Sequence, residues 1–239
     1  MSERENILGR IREALKVSAP LPGSHGERSA EHRSAGESTA NARSNASRSA
    51  TAREWLPLVG DSVAEQFELF AKNAADLKAD FQLFTSREEL TAALLKIRDA
   101  ENWRRVASHG GELTDFACKM LGLPVTLTDR GYEVQEMEQC DAGITECDAL
   151  IAQTGGVVVT SRSAGGRALS VLPPHHVVIA RRAQLVADLP AAFALLQSKY
   201  APDYPSMISF ITGPSRTGDI ERIMVLGAHG PKKLTILCV

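Results

Sequence analysis

From residue 61 to residue 239, short apolar runs alternate with segments whose apolar residues recur at helical spacing. The runs predict strands over 81–84, 105–108, 125–128, 149–152, 157–160, 177–180, 207–212 and 234–239. The helical spacing predicts helices over 61–78, 86–100, 112–121, 188–199 and 217–227. Asp61 is the predicted N-cap of the first helix, and Ser86 with Glu89 matches the capping box that opens the second.

Short strands that alternate with helices, several of them apolar on both faces, are typical of a sheet covered on both sides by helices. The sequence therefore predicts a three-layer α/β/α domain with a mostly parallel sheet. The chain passes directly from the strand at 149–152 to the strand at 157–160 through Gly155 and Gly156. So short a connection favours an antiparallel or irregular element, and we expect the sheet to be mixed.

The first part of the chain has a different pattern. Residues 3–17 carry apolar side chains at helical spacing, and between Pro22 and Trp55 there is no Leu, Ile, Val, Phe or Met. A segment without these residues buries too little apolar surface to offset the entropy of ordering it. We therefore predict an N-terminal helix within 1–18, a flexible linker over 19–54 and an α/β domain over 55–239.

Composition excludes several classes of protein. The 27 basic and 29 acidic side chains leave a net charge of -2, which favours neither a nucleic acid nor a membrane surface. No two of the four cysteines form the C-x-x-C spacing of zinc ribbons and ferredoxin-type clusters, so no metal is predicted. The chain opens with charged residues and has no run of about 18 apolar residues, so we expect a cytoplasmic protein without a membrane span.

The strongest candidate for chemistry follows the strand at 207–212, where the chain runs through Gly213 into the predicted helix at 217–227. Free backbone N–H groups at a helix N-terminus attract anions. The hydroxyls of Ser215 and Thr217 and the guanidinium of Arg216 would complete an anion site, with Asp219 beside them. Alternatively, Ser215 or Thr217 is an ordinary N-cap, and Asp219 complements the helix dipole or pairs with Arg216.

A second candidate ligand-binding segment comprises Thr154, Gly155 and Gly156, directly after a predicted strand. Two glycines permit positive φ angles and a close approach of backbone to a ligand. The same pattern is also common in a turn or bulge that binds nothing.

Histidines supply candidate proton carriers. His175 and His176 follow Gly166 and Arg167 along the chain and are adjacent on an extended segment, so their side chains point in opposite directions. They are therefore unsuited to one metal, and we expect one to face the site while the other packs or lies in solvent. The catalytic candidates are His175 and His229. His229 lies in a Gly-rich turn ended by Pro231, and it is alternatively a simple loop histidine.

Three segments, 151–155, 172–176 and 212–231, resemble the LUD-domain family, and within it the small lactate-utilisation proteins of the YkgG type. Residues 4–15 are also similar to that branch. The resemblance implies a fold like that of the CoA-transferase and ribose-5-phosphate isomerase superfamily. It also implies a three-component system that oxidises L-lactate to pyruvate, with iron–sulfur clusters on the partner subunits and no cofactor in this chain.

One position departs from the family pattern. Gln153 stands where the family usually has Glu, and an amide cannot act as a carboxylate base. Whether this chain is itself a catalyst therefore stays open. Three functions remain: a lactate-system subunit that binds a small anion or assembles its partners, a stand-alone enzyme acting on a phosphorylated or CoA-linked substrate, and a non-catalytic interaction module.

Overall fold

The computed structural model describes residues 58–220, 223–227 and 229–239, without the side chains of Arg130 and of 217–226. The N-terminal helix and linker predicted from the sequence lie outside these residues. The helices are α1 (Val63–Asp76), α2 (Arg87–Glu101), α3 (Glu112–Leu121), α4 (Val134–Glu138) and α5 (Leu189–Tyr200). The strands are β1 (Asp80–Leu83), β2 (Val106–Ser108), β3 (Val125–Leu127), β4 (Ala142–Thr145), β5 (Ala149–Ile151), β6 (Gly156–Thr160), β7 (His175–Ala180), β8 (Leu185–Val186), β9 (Ile208–Ile211), β10 (Arg216–Ile220), β11 (Ile223–Leu226) and β12 (Lys233–Cys238).

Six strands form a wholly parallel sheet in the order β1-β12-β7-β4-β2-β3. A separate four-stranded sheet has the order β8-β5-β6-β9, and its β5–β6 and β6–β9 pairs are antiparallel. Flanking helices complete the predicted three-layer α/β architecture, which is confirmed. The short step through Gly155 is indeed antiparallel, but it belongs to the second sheet. Among the described helices, none has the length and apolarity needed to cross a bilayer.

Strand β7 shows how the layers are held together. Val177 and Ile179 point to the face that α2 and α3 cover, where they meet Leu90, Leu94 and Leu113. Val178 and Ala180 point to the other face, where the core includes residues of α1 and of the second sheet. Every residue of β7 is buried, as expected for a central strand of a parallel sheet that is covered on both sides.

Helix α5 covers the outer face of the second sheet through Ala192, Leu196 and Tyr200. At its end, a buried carboxylate anchors it: Oδ1 of Asp148 accepts hydrogen bonds of 2.6 Å from both Nζ of Lys199 and the Tyr200 hydroxyl. Burial alone would raise the pKa of Asp148, but hydrogen bonds from Lys199, Ser163 and Tyr200 outweigh burial and lower it. The carboxylate is therefore charged at neutral pH and ties the helix to the sheet.

Local capping also differs in detail from the sequence prediction. The N-cap of α1 is Ser62, not Asp61, because the Ser62 side chain accepts the Glu65 N–H and the Glu65 carboxylate accepts the Ser62 N–H. Ser86 caps α2 as predicted, whereas the Glu89 carboxylate accepts the N–H of the residue before that cap.

The predicted helix over 217–227 is wrong: the segment is the antiparallel hairpin β10–β11. The pairs Thr217–Val225 and Ile220–Ile223 lie opposite each other, and β-branched residues of this kind favour a strand. Gly218 further weakens a helix at this point. The apolar residues that suggested a helix belong to a hairpin instead. The predicted anion site depended on a helix N-terminus, and the structure has a strand at that point.

Two glycines permit the loops of the second sheet to approach the C-terminal end of α1. Gly155 has φ +64°, and a Cβ there would lie 2.5 Å from the backbone nitrogen of Ala74. Gly213 has φ +94°, and a Cβ there would lie 2.4 Å from the carbonyl oxygen of Leu77. Both glycines are therefore required by protein packing, because helix backbone occupies the space that a side chain would need.

We predict that Gly155→Ala lowers the free energy of unfolding by about 2–4 kcal/mol, because alanine is strained at positive φ and also overlaps α1. Gly122→Ala is the matched control: its φ is +63° and nothing lies within 4 Å of its added Cβ. The control should lose only about 1–2 kcal/mol. Urea unfolding of both variants measures the difference, and equal losses would contradict the close approach.

Candidate functional site

A cavity of about 390 Å³ lies at the amino ends of β7 and β12, between the parallel sheet and β9. Its walls come from three segments that are far apart in sequence: the turn before β7 with the first residues of β7, β9 with the turn after it, and the loop before β12 with the first residues of β12. The residues lining it are Arg167, Ser170, Val171, His176, Met207, Ile208, Ser209, Ile211, Gly213, Pro214, Ser215, His229, Gly230, Pro231 and Leu234.

Three residues that the sequence predicted to bind ligand or protons lie together in this cavity: Gly213, Ser215 and His229. Backbone hydrogen bonds hold the two loops that carry them, since Ser215 donates to the Pro231 carbonyl at 2.9 Å and accepts from the Gly227 N–H at 2.8 Å. The backbone at Ser215 is therefore joined to the loop that carries His229, although the predicted helix between them is a hairpin.

Arg216 does not line the cavity. It begins β10, is exposed, and its guanidinium donates a 3.0 Å hydrogen bond to the carbonyl of Thr212. The cause is the missing helix: with no N-terminus at this point, no convergent amides or positive dipole draw an anion to the guanidinium. Thr217 and Asp219 also lie in β10, and their predicted role in ligand binding has lost the same support.

Thr154, Gly155 and Gly156 also lie outside the cavity lining. Gly155 packs on α1, and the Thr154 hydroxyl accepts the Gly156 N–H at 3.3 Å. Asn73 of α1 completes the contact by donating to the carbonyls of both Ala152 and the following residue, each at 2.9 Å. These contacts support the alternative interpretation of the segment as a structural turn.

The adjacent histidines point to opposite faces of the sheet, as predicted. His176 faces the cavity, and its Nε2 is 2.9 Å from the Thr145 hydroxyl. His175, the histidine that was named as a catalytic candidate, is outside the lining of this cavity and packs edge-on against Trp103, with ring centroids 5.2 Å apart. Burial, assisted by the neighbouring His175, lowers the pKa of His176 to about 3, so that this ring is neutral at neutral pH.

Arg167 is the cation that the sequence analysis noted but did not place in the site. Gly165 and Gly166 precede it with φ angles of +60° and +102°, and this turn brings Arg167 to the cavity wall. Among the described residues, no acceptor bonds its exposed guanidinium, and no Asp or Glu lines the cavity. The balance of charge at the wall therefore favours an anion.

The opposite edge of the parallel sheet, where open α/β sheets usually bind ligands, is filled by a side chain of the protein itself. The Glu146 carboxylate accepts the N–H of Leu113 at 2.7 Å in the first turn of α3. Arg181 lies 3.4 Å from the same carboxylate and also bonds Glu112 at 2.8 Å. An internal carboxylate thus occupies the position at this helix N-terminus that an anionic ligand would take.

We predict that the stability of the protein falls as the pH is lowered from about 6.5 toward 3. The unfolded chain takes up a proton at His176 near pH 6.5, while the folded chain resists it until its own pKa of about 3. His176→Gln should make the free energy of unfolding depend less steeply on pH and remove on the order of 2 kcal/mol of the acid destabilisation. Urea unfolding at several pH values measures it, with the exposed His229→Gln as the control for loss of a histidine. An unchanged slope in His176→Gln would refute it.

The sequence of this chain matches known proteins over its C-terminal half and beyond. Residues 125–239 match the sequence model of the LUD domain. The chain is 29% identical to lactate utilization protein C of Geobacillus kaustophilus over 208 residues, which cover 78% of this chain and 83% of that protein. It is 38% identical to lactate utilization protein C of Halalkalibacterium halodurans over 108 residues, and 35% identical to that of Bacillus subtilis over 114 residues. These two alignments span less than half of each relative, 47% and 48%.

A solved structure supports the fold. The crystal structure of a DUF162 family protein from Deinococcus radiodurans superposes with a TM-score of 0.55 at 24% sequence identity, covering 77% of this chain and 99% of that one. At this identity the likeness concerns the fold alone. The cavity walls at 167–176, 207–215 and 229–234 all lie within the matched domain. Residues 125–239 of this chain, which hold the candidate site, are similar to the LUD domain.

Proposed function

We propose that this chain takes part in L-lactate utilisation and that its cavity binds a small carboxylate of the size of lactate or pyruvate. The similarity to proteins named lactate utilization protein C supports the pathway. The observation that carries the binding proposal is the cavity itself. It presents a guanidinium without a described partner, and the described residues of its wall include no carboxylate.

The chemistry of the wall suits a monocarboxylate. The planar guanidinium of Arg167 donates two parallel hydrogen bonds to a carboxylate. A hydrogen bond stabilises the backbone of Arg167, because the Ser170 hydroxyl donates to the Arg167 carbonyl at 3.0 Å. Ser215 adds a hydroxyl to the lining, and Ile211 and Leu234 add apolar surface for a short carbon chain.

The size of the cavity favours a small acid over the alternative substrates. At about 390 Å³ it is near the lower end of the range of ligand sites, about 300–1,000 Å³. A CoA-linked substrate would leave most of its length outside these walls. This comparison supports the lactate proposal over a stand-alone enzyme that acts on CoA derivatives.

Oxidation of lactate to pyruvate removes two electrons and two protons from the substrate. We assign binding of the substrate carboxylate to this chain. We assign transfer of the electrons to partner subunits, which are predicted to carry iron–sulfur clusters. His229 at the cavity wall is exposed and remains the candidate proton carrier. His176 is less suited to that role, because its low pKa makes it a weak base.

We predict that Arg167→Gln weakens binding of L-lactate and pyruvate about 10- to 100-fold, because a hydrogen bond to a charged group contributes about 1.5–3 kcal/mol. Isothermal titration calorimetry of the purified full-length chain measures it. The matched control is Arg216→Gln, which removes the same charge from a guanidinium outside the cavity lining. That variant should bind within about twofold of the wild type.

If Arg216→Gln weakened binding of the two acids and Arg167→Gln left it unchanged, the result would instead support the site predicted from the sequence. Equal affinities in all three proteins, or no binding of either acid, would contradict the proposed cavity function. Partner assembly is tested separately, by reconstituting lactate-dependent electron transfer from co-purified subunits with each variant.

A further inference from the structure

A second cavity lies on the other face of the parallel sheet, between α2 and the amino ends of β1, β7 and β12. Its volume is about 580 Å³, larger than that of the cavity that contains Arg167. His175, on the opposite face from His176, lines it, so the alternation of β7 assigns one histidine to each cavity. Nothing in the proposed binding of lactate uses this second space.

Lysines dominate the rim of this second cavity. Lys78, Lys96, Lys232 and Lys233 line it, against the two carboxylates of Asp80 and Glu101. Glu101 is already engaged, because both of its oxygens lie 2.6 Å from Nζ of Lys233. Asp80 accepts a 2.8 Å hydrogen bond from Gln82. Three of the four ammonium groups are therefore left without an acidic partner among the described residues.

The floor of the cavity adds a polar group that the fold does not satisfy. His175 is 5% exposed, and its Nε2 is 2.9 Å from the Thr235 hydroxyl. Its Nδ1 is buried without a hydrogen-bond partner among the described residues, and buried polar atoms rarely lack one. Burial lowers the pKa of His175 to about 4, so the ring contributes hydrogen bonding but no charge.

We propose that this second cavity binds a phosphorylated small molecule, with its phosphate at Lys78, Lys96 and Lys232 and its body against α2. A carboxylate carries one charge and is matched by a single cation, whereas a phosphoryl group carries nearly two charges and three acceptor oxygens. Lysine is a common partner of phosphate as a mobile point charge. Ala92, Ala93 and Ile97 form an apolar wall beside the lysines, which suits an organic body better than free inorganic phosphate.

The experiment uses the full-length chain and two probes, inorganic pyrophosphate and ADP, at fixed ionic strength. Binding is followed by calorimetry and by the fluorescence of Trp103, which packs against His175, in a Trp55→Phe background. We expect both probes to bind, and ADP more tightly because of the apolar wall. The double variant Lys96→Gln/Lys232→Gln should weaken ADP binding at least tenfold.

The control is Lys72→Gln/Lys119→Gln, which removes two exposed lysines that are outside the cavity lining and so changes the net charge equally. Its affinity for ADP should stay within about twofold of the wild type. All four lysines are exposed, so circular dichroism should show the wild-type fold in both variants. No binding of either probe to the wild type, or an equal loss in the two double variants, would overturn the proposal. Arg167→Gln should bind ADP normally, which separates this proposal from that of the lactate site.

Discussion

The close contact between the C-terminal end of α1 and the loops of the second sheet is the constraint on which the rest of the structure depends. Gly155 and Gly213 allow loop backbone to reach within van der Waals distance of helix backbone, and Asn73 bonds two carbonyls of the β5–β6 turn. Because α1 also packs on the parallel sheet through Phe67 and Phe70, the contact fixes one sheet relative to the other. Direct backbone contact of this kind tolerates little displacement.

The position of the first cavity follows from that constraint. Gly213 packs on Leu77, the C-cap of α1, and the residues that follow Gly213 lie at the amino edge of the parallel sheet, where Ser215 meets the loop at 229–231. The gap that remains above His176 is the cavity. The sequence suggested Gly213 as a ligand contact. In the structure its close packing on Leu77 positions the part of the cavity wall that contains Ser215.

The sequence predicted the fold better than the site, for physical reasons. Alternating apolar runs identify strands because burial on both faces leaves little room for polar residues, and β7 is the clearest example. The segment 217–227 failed because a hairpin of β-branched residues can also place apolar side chains at helical spacing, and a local pattern does not show which partner strand is available. Arg167 was noted but not placed in the site, because its position depends on the folded geometry of a glycine turn. The described cavity lining also lacks carboxylates, and a local sequence pattern does not show either feature.

The two edges of the parallel sheet explain why the chemistry lies where it does. At the carboxyl edge, Glu146 caps α3 and engages Arg181, so the favourable field of that helix already holds a negative charge. At the amino edge the charges are reversed: Arg167 on one face and three lysines on the other have no described acidic partner. Cations without partners repel one another and are tolerated only while solvent or a ligand screens them. The binding functions proposed for the two cavities would give these cations the anionic partners that the described residues do not supply.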